Sequence, residues 1–260
     1  MKTYVLISCA LLAGAALALQ LGNNILGIPT GFGMTVDLVA VPVLLALFLF
    51  GFEPALLVLA AAALGIAIVS PTGIVGALAK FLATLPMLIV PAALLMWGRK
   101  KEAAISFTAL ALLASILAYS FAGFSRSLSG KGADALTGAV LPIAALGACA
   151  YAVLWLSRRQ TPLDAARLSS PALAAAALAG AMLVRGTLMV LANYYIAGPL
   201  YFGVAPEQFA AIVQKADVLL LGAGSAWYIV IFFWNAVQSA LEFALAWLLA
   251  FRFGLSKYSE

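Results

Sequence analysis

Residues 225–251 read SAWYIVIFFWNAVQSALEFALAWLLAF and carry the clearest signal of the fold class. A helix that spans a lipid bilayer needs about 20 mainly apolar residues. This stretch is longer than that and carries a single charge, at Glu242. Its apolar residues run without the alternation that a strand of a β-barrel requires. Residues 225–251 therefore predict a transmembrane helix.

The composition of the whole chain agrees with this reading. Of 260 residues, 66% are apolar and only 9% are charged, and the mean hydropathy is +1.14. Soluble domains are about half apolar and about a quarter charged. A soluble domain of this size cannot hide so much apolar surface, because much of any folded surface faces solvent. We therefore expect lipid to be the solvent of this chain.

Seven further apolar stretches are long enough to be candidate spans. The sequence thus predicts an all-α integral membrane protein, a helical bundle of about eight helices within a single transmembrane domain, 1–260. The seven stretches are 4–21, 34–51, 55–70, 75–97, 103–121, 136–156 and 171–197.

The positions of Lys and Arg predict the orientation of the bundle. Loops on the cytoplasmic side of a membrane carry an excess of these residues. With the N-terminus inside, nine of them fall in inner segments and three in outer loops. We therefore expect a multi-pass protein of the plasma membrane with both termini in the cytoplasm. The net charge of +5 is explained in this way and does not call for a nucleic-acid partner.

One outer loop contains a further helical pattern. Between Pro206 and Leu220, apolar residues recur at helical spacing while Glu207, Lys215 and Asp217 lie on the other side. The segment predicts an amphipathic helix on the outer surface. It is either a lid or a loop that covers the end of the bundle.

Enzyme signatures are missing from the sequence. The chain has no histidine and two cysteines, which argues against haem, multi-ligand zinc and histidine-based acid–base chemistry. Gly130-Lys131 is followed by Gly132, where a phosphate-binding loop requires Ser or Thr. We expect no catalytic residues, no metal site and no bound cofactor.

The informative residues are polar groups at membrane depth. Polar groups are costly in hydrocarbon and are expected to face a cavity, a partner or water. Five such groups fall at a similar depth in the outer half of the bundle: Asp37, Lys80, Asn193, Asn235 and Gln238. This distribution predicts a pocket. Its amides both donate and accept hydrogen bonds, which suits a neutral heterocycle.

Aromatic residues near these amides would stack on or wall such a ring. They are Tyr194, Tyr195, Trp227 and Trp234. The alternative is that the amides join helices to one another and that the aromatic residues form a belt at the membrane interface.

Two charged residues lie deeper in the predicted bundle. Arg185 and Glu242 fall near the middle of their helices, where we expect them to form a structural ion pair.

The first helix carries small residues on one face: Ala10, Gly14 and Ala18 repeat every four residues along it. Such a face lets another helix approach closely, although internal packing explains it equally well.

Several segments together resemble the substrate-binding S component of an energy-coupling factor (ECF) vitamin transporter, specifically the riboflavin type. The resemblance covers residues 1–98 and 172–252. Besides the small residues of the first helix, it rests on Ile28-Pro29, Val36-Asp37-Leu38, Val41-Pro42, 51–54 (GFEP), 73–78 (GIVGAL), 193–203 (NYYIAGPLYFG) and 233–238 (FWNAVQ).

The resemblance implies six core helices, an extracellular vitamin site and a first helix that docks on a transmembrane coupling subunit. That subunit works with two cytosolic ATPases. Asn193 and Asn235 match the family's ligand-binding asparagines, and Asp37 matches a polar position near the first loop. Two features depart from the family. Gln238 replaces a lysine, and we expect residues 99–171 to form an inserted helical hairpin.

The expected function is therefore capture of riboflavin or a related flavin for ATP-driven uptake. Asn193, Asn235 and Gln238 would hydrogen-bond the ligand. Asp37 and Lys80 would line the entrance, and Tyr194, Tyr195 or Trp234 would wall its ring. One alternative is an S component for another small vitamin or precursor. A second, of another class, is an integral-membrane enzyme that acts on lipid.

Overall fold

The computed structural model describes residues 2–23, 27–95, 165–215 and 225–258. Over these ranges the chain is predominantly helical, with one small antiparallel hairpin in which Ile28 pairs with Val36 and Pro29 with Thr35. The helices are α1 (Thr3–Leu21), α2 (Val41–Phe50), α3 (Phe52–Val69), α4 (Gly73–Leu95), α5 (Pro171–Ala192), α6 (Gly198–Phe202), α7 (Pro206–Lys215) and α8 (Trp227–Trp247), and the strands are β1 (Ile28–Pro29) and β2 (Thr35–Val36).

Five helical segments are long and apolar enough to cross a membrane: Thr3–Leu21, Phe52–Val69, Gly73–Leu95, Pro171–Phe202 and Trp227–Arg252. The all-α, membrane-type fold is thus confirmed. The spans expected at 103–121 and 136–156, and most of the inserted hairpin 99–171, lie outside the described residues. The total of about eight helices therefore stays a prediction, as do the identity of the membrane and the orientation of the termini.

Two of these long segments contain a π-helical turn. Residues Asn193–Ala197 form such a turn and join α5 to α6, so that Pro171–Phe202 is one continuous helical segment. A second π turn, Leu248–Arg252, continues α8. A π turn inserts a residue into the helical repeat and so rotates the faces on either side of it. The faces of α5 and α6 consequently do not follow a single 3.6-residue period.

The span expected at 34–51 is wrong in its first half. Residues 35–36 belong to β2, residues 37–40 are non-helical, and α2 begins only at Val41. Pro42 stands at the start of α2, where its fixed φ and missing N–H suit the first turn. With ten residues, α2 is about 15 Å long, or about half the thickness of a bilayer's hydrocarbon core.

The non-helical segment 37–40 is buried inside the protein, and side chains satisfy its backbone. Asp37 Oδ1 accepts a hydrogen bond from the backbone N–H of Val39 at 3.1 Å. Glu242 Oε1, on α8, accepts one from the N–H of Ala40 at 3.3 Å. Irregular backbone is tolerated at membrane depth where protein surrounds it. The chain thus descends into the bundle before α2 starts, which places Asp37 in the interior.

Helix α2 forms the centre of the hydrophobic core. Nearly all of its residues are buried, and Leu44 and Leu47 are fully enclosed. Helix α1 lies at the periphery and buries only one face, through Val5, Cys9, Ala13 and Ala16. Large apolar side chains elsewhere are exposed, for example Leu11 at 70% and Ile68 at 84%. Such exposure is costly in water and favourable in lipid, as the composition predicted.

One end of the bundle, here called the hairpin end, carries β1–β2, α6 and α7. The amphipathic helix expected from Pro206 onward is present as α7, although residues 216–220 lie outside the described part. It buries Phe209, Ala210 and Val213 and leaves Glu207 and Lys215 exposed.

Candidate functional site

A cavity of about 160 Å³ lies at the hairpin end, between α1, the hairpin, α4, α5, α6, α7 and α8. Along α4 it is lined by Gly76, Lys80 and Ala83, which share one helical face, and Thr72 lines it just before α4 begins. The seven residues of helix from Gly76 to Ala83 rise by about 10 Å. The cavity therefore extends from the hairpin end into the middle of the bundle. Its polar lining consists of Gln20, Asn23, Thr35, Thr72, Lys80, Arg185, Asn193, Asn235 and Gln238.

The floor of the cavity begins with an ion pair between α4 and the buried segment before α2. Lys80 Nζ donates to Asp37 Oδ2, and the side chain of Asp37 is almost fully buried. These two charges are 43 residues apart in the sequence. The descent of residues 37–40 into the bundle is what brings them together. Lys80 lines the cavity, and Asp37 lies behind it.

Gln238 links this ion pair to α8. Its Nε2 lies 3.3 Å from Asp37 Oδ1 and 3.0 Å from Glu242 Oε1, and it donates to both carboxylates. Gln238 and Glu242 are one helical turn apart on α8. The amide therefore bridges two buried negative charges that would otherwise repel each other.

Arg185 on α5 completes the floor. Its Nη1 lies 2.6 Å from Glu242 Oε2, and its Nε lies 3.5 Å from Asn235 Oδ1. Arg185 and Glu242 are both about 1% exposed. The ion pair expected from the sequence is thus present. Unlike Glu242, however, Arg185 also lines the cavity.

The six residues form one continuous, charge-balanced set, which we call the floor network. It comprises Asp37, Lys80, Arg185, Asn235, Gln238 and Glu242, with two cations and two carboxylates. Buried charges are tolerated when they are paired and hydrogen-bonded, and leaving one without its partner is costly. Both cations line the cavity, whereas the two carboxylates lie behind them. The floor therefore presents positive charge and amides to a ligand.

Four of the eight residues expected to bind the ligand line the cavity: Lys80, Asn193, Asn235 and Gln238. Asn193 belongs to the π turn, and its Nδ2 donates to the carbonyl of Met189 at 2.8 Å. Asp37 does not line the cavity itself but contacts two residues that do, Lys80 and Gln238.

The small-residue face of α1 is exposed along Ala10, Gly14 and Ala18, and a Cβ added at Gly14 would meet nothing within 4 Å.

The three aromatic residues expected to wall the ligand lie outside the cavity lining. The ring of Tyr194 stacks on Trp227 at a centroid distance of 4.8 Å, and its hydroxyl lies 3.4 Å from Glu207 Oε1 on α7. Tyr195 packs edge-on against Tyr194, and Trp234 packs against Phe233. Tyr194 thus fastens the hairpin end of α5 to α7 and α8, whereas the Trp234 contact lies within α8.

Other aromatic residues line the cavity instead. They come from segments outside the predicted membrane-spanning stretches, so their depth along a helix could not identify them. Phe32 lies in the hairpin, Tyr201 and Phe202 in α6, and Phe209 in α7. Phe32 follows Gly31 and precedes Gly33, whose φ angles of 83° and 84° favour glycine. A Cβ at Gly33 would also approach the ring of Phe202 to 3.0 Å. The two glycines thus let the hairpin loop close over α6.

Helix α7 covers the cavity at the hairpin end. Phe209 is about 1% exposed and lines the cavity from above, and its ring packs against Gly198 so closely that a Cβ there would lie 2.5 Å away. This arrangement is compatible with either a lid or a fixed cover.

Among the described residues, no group of three or more His, Cys, Asp or Glu side chains is placed to hold a metal ion. Fold and site together define an all-α protein of the membrane type with a cavity at one end of its bundle that has apolar walls and a polar floor. No protein-family model, curated protein or solved structure matches this chain significantly.

Proposed function

We propose that this protein is the substrate-binding S component of an ECF vitamin transporter and that it captures riboflavin or a related flavin for uptake. The observation that carries the proposal is the cavity above the floor network. Apolar and aromatic walls surround a few convergent amides and cations, which is the usual composition of a small-molecule site.

The floor network also accounts for the departure at Gln238. In the family that the sequence resembles, a lysine occupies this position. Here Lys80 reaches Asp37 from α4, and Gln238 contacts the same carboxylate from α8. The positive charge is supplied by another helix, so the site keeps a cation without a lysine at 238.

The proposed partners are a transmembrane coupling subunit and two cytosolic ATPases. The exposed face of α1 along Ala10, Gly14 and Ala18 is the proposed docking surface for the coupling subunit, because small residues let two helices pack closely. The chain itself needs no catalytic residues in this arrangement. It binds the vitamin, and the ATPases supply the energy.

The size of the cavity favours a second candidate, an S component for a smaller vitamin or precursor. Pockets for drug-sized ligands enclose about 300–1,000 Å³. The present cavity encloses about 160 Å³. A flavin requires a larger space than this, as when α7 moves outward, whereas a smaller ligand of similar hydrogen-bonding character fits beneath α7.

Uptake of labelled riboflavin tests the transport function. The assay uses cells that lack their own riboflavin uptake and that co-express this chain with a coupling subunit and its ATPases. We expect Asn235→Ala to abolish uptake, because Asn235 lines the cavity. Ser239→Ala is the matched control, since Ser239 is buried one turn further along α8 and does not belong to the lining.

A second variant separates docking from binding. Gly14→Leu places a bulky side chain on the exposed face of α1 and is expected to abolish uptake while the purified protein still binds ligand. Uptake that is unchanged in both Asn235→Ala and Gly14→Leu would contradict the proposal.

A further inference from the structure

Two polar atoms of the cavity lie outside the floor network and lack a partner. Gln20 Oε1 and Asn23 Oδ1 are buried, and neither accepts a hydrogen bond from the described residues. Both residues line the cavity at the hairpin end, where α1 terminates. Buried side-chain oxygens are normally hydrogen-bonded, and each one left unpaired is costly.

These two oxygens differ from the polar atoms of the floor network in having no hydrogen-bond partner among the described residues. The polar side chains of the floor network satisfy one another and need no further partner. The oxygens of Gln20 and Asn23 have no such compensation. A buried polar group that the protein leaves unpaired is expected where a ligand supplies the partner.

The neighbouring residues hold this end of the cavity in place. Asn23 Nδ2 donates to Thr35 Oγ1 at 2.8 Å, which ties the end of α1 to strand β2. Just before α4, the Thr72 hydroxyl lies 2.8 Å from the hydroxyl of Ser70. The unpaired oxygens thus belong to a braced wall of the cavity.

We infer that Gln20 and Asn23 form a subsite for hydroxyl groups of the ligand, at the opposite end of the cavity from the floor network. A hydroxyl both donates and accepts and therefore satisfies a side-chain amide in either orientation. The subsite accordingly takes the polyol part of a neutral ligand. Its ring lies deeper, against Lys80, Asn235 and Gln238. This inference rests on the proposed function, because it assigns one part of the same ligand.

Two flavins that share one ring test the assignment. Riboflavin carries a ribityl chain, and lumiflavin carries a methyl group in its place. We expect the wild-type protein to bind riboflavin about tenfold more tightly than lumiflavin, or better still, because hydroxyls pair with otherwise unsatisfied oxygens. In Gln20→Leu and Asn23→Leu the ratio falls towards one while the affinity for lumiflavin is retained. Gln214→Leu, at an exposed position on α7, is the control and keeps the wild-type ratio. A ratio that Gln20→Leu and Asn23→Leu leave unchanged would overturn the subsite.

A second readout needs no ligand. Gln20→Met replaces the buried carboxamide, whose oxygen is unsatisfied, with an apolar side chain of about the same length. We therefore expect the thermal midpoint of the ligand-free protein to stay the same or rise. A clear fall would mean that the oxygen is already paired within the protein, and it would overturn the inference. If the wild type binds neither flavin, the flavin part of the proposed function fails, and this midpoint still decides the subsite.

Discussion

Arg185 on α5 and Glu242 on α8 form an ion pair with 2.6 Å between Nη1 and Oε2, and both side chains are almost completely buried. Glu242 also accepts hydrogen bonds from Gln238 and from the backbone of Ala40. One carboxylate therefore fixes α5, α8 and the segment that precedes α2. The floor of the cavity depends on this pairing.

Removing either partner of this pair is expected to destabilise the fold. Arg185→Met or Glu242→Leu leaves one buried charge without its partner, which costs about 3–5 kcal/mol. The double variant removes both charges, and we expect it to be more stable than either single variant. Thermal unfolding of the purified protein in detergent measures all three. A double variant whose loss equals the sum of the two single losses would show that the charges do not interact.

We expect that the cation beside Asp37 can be supplied either from α4 or from α8. Lys80→Met leaves the buried carboxylate of Asp37 without its cation and should lower the thermal midpoint. Lys80→Met combined with Gln238→Lys returns a cation to the same carboxylate from α8, since Gln238 Nε2 already lies 3.3 Å from Asp37 Oδ1. We expect this double variant to regain much of the lost stability.

Lys215→Met is the control for the loss of a lysine, because Lys215 is exposed on α7. Should the double variant prove less stable than Lys80→Met alone, the charge at 80 would not be equivalent to a charge at 238.

Helices α6 and α7 pack so closely that we expect no room for an additional atom between them. A Cβ at Gly198 would lie 2.5 Å from the ring of Phe209 and 2.6 Å from the carbonyl of Asn193. Gly198→Ala should therefore displace Phe209 and cost about 1–3 kcal/mol, as overpacking generally does. Gly14→Ala is the matched control, because nothing lies within 4 Å of the added Cβ. Equal thermal midpoints for the two variants would contradict the close packing of α7.

The long helices could be predicted from the sequence because about 20 consecutive apolar residues are a local signal. The stretch 34–51 misled for the same reason. Residues buried in protein are as apolar as residues in lipid, so the descent of 37–40 and the short helix α2 look like one span. Thr35, Asp37 and Pro42 interrupt the apolar run. The burial of segment 37–40 depends on Glu242, which accepts a hydrogen bond from the N–H of Ala40, and on Lys80, which pairs with Asp37, and both are far away in the sequence.

The polar part of the site was easier to predict than its aromatic part. The depth of each residue along its helix identified Lys80, Asn193, Asn235 and Gln238, because a polar side chain at membrane depth must face a cavity, a partner or water. The faces of Tyr194 and Tyr195 could not be read from a period of 3.6, since both lie in the π turn Asn193–Ala197. Pairings such as Asp37 with Lys80 depend on the tertiary fold, and no local pattern specifies them.

A titration of riboflavin with the purified, detergent-solubilised protein, followed by flavin fluorescence, tests whether this cavity binds riboflavin. A ring enclosed by the aromatic walls above the floor network is expected to be quenched. We expect saturable quenching with one riboflavin per chain, lost in Asn235→Ala and retained in Ser239→Ala. Absence of quenching with the folded wild-type protein, or quenching that Asn235→Ala leaves unchanged, would contradict the assignment of this cavity as a riboflavin site.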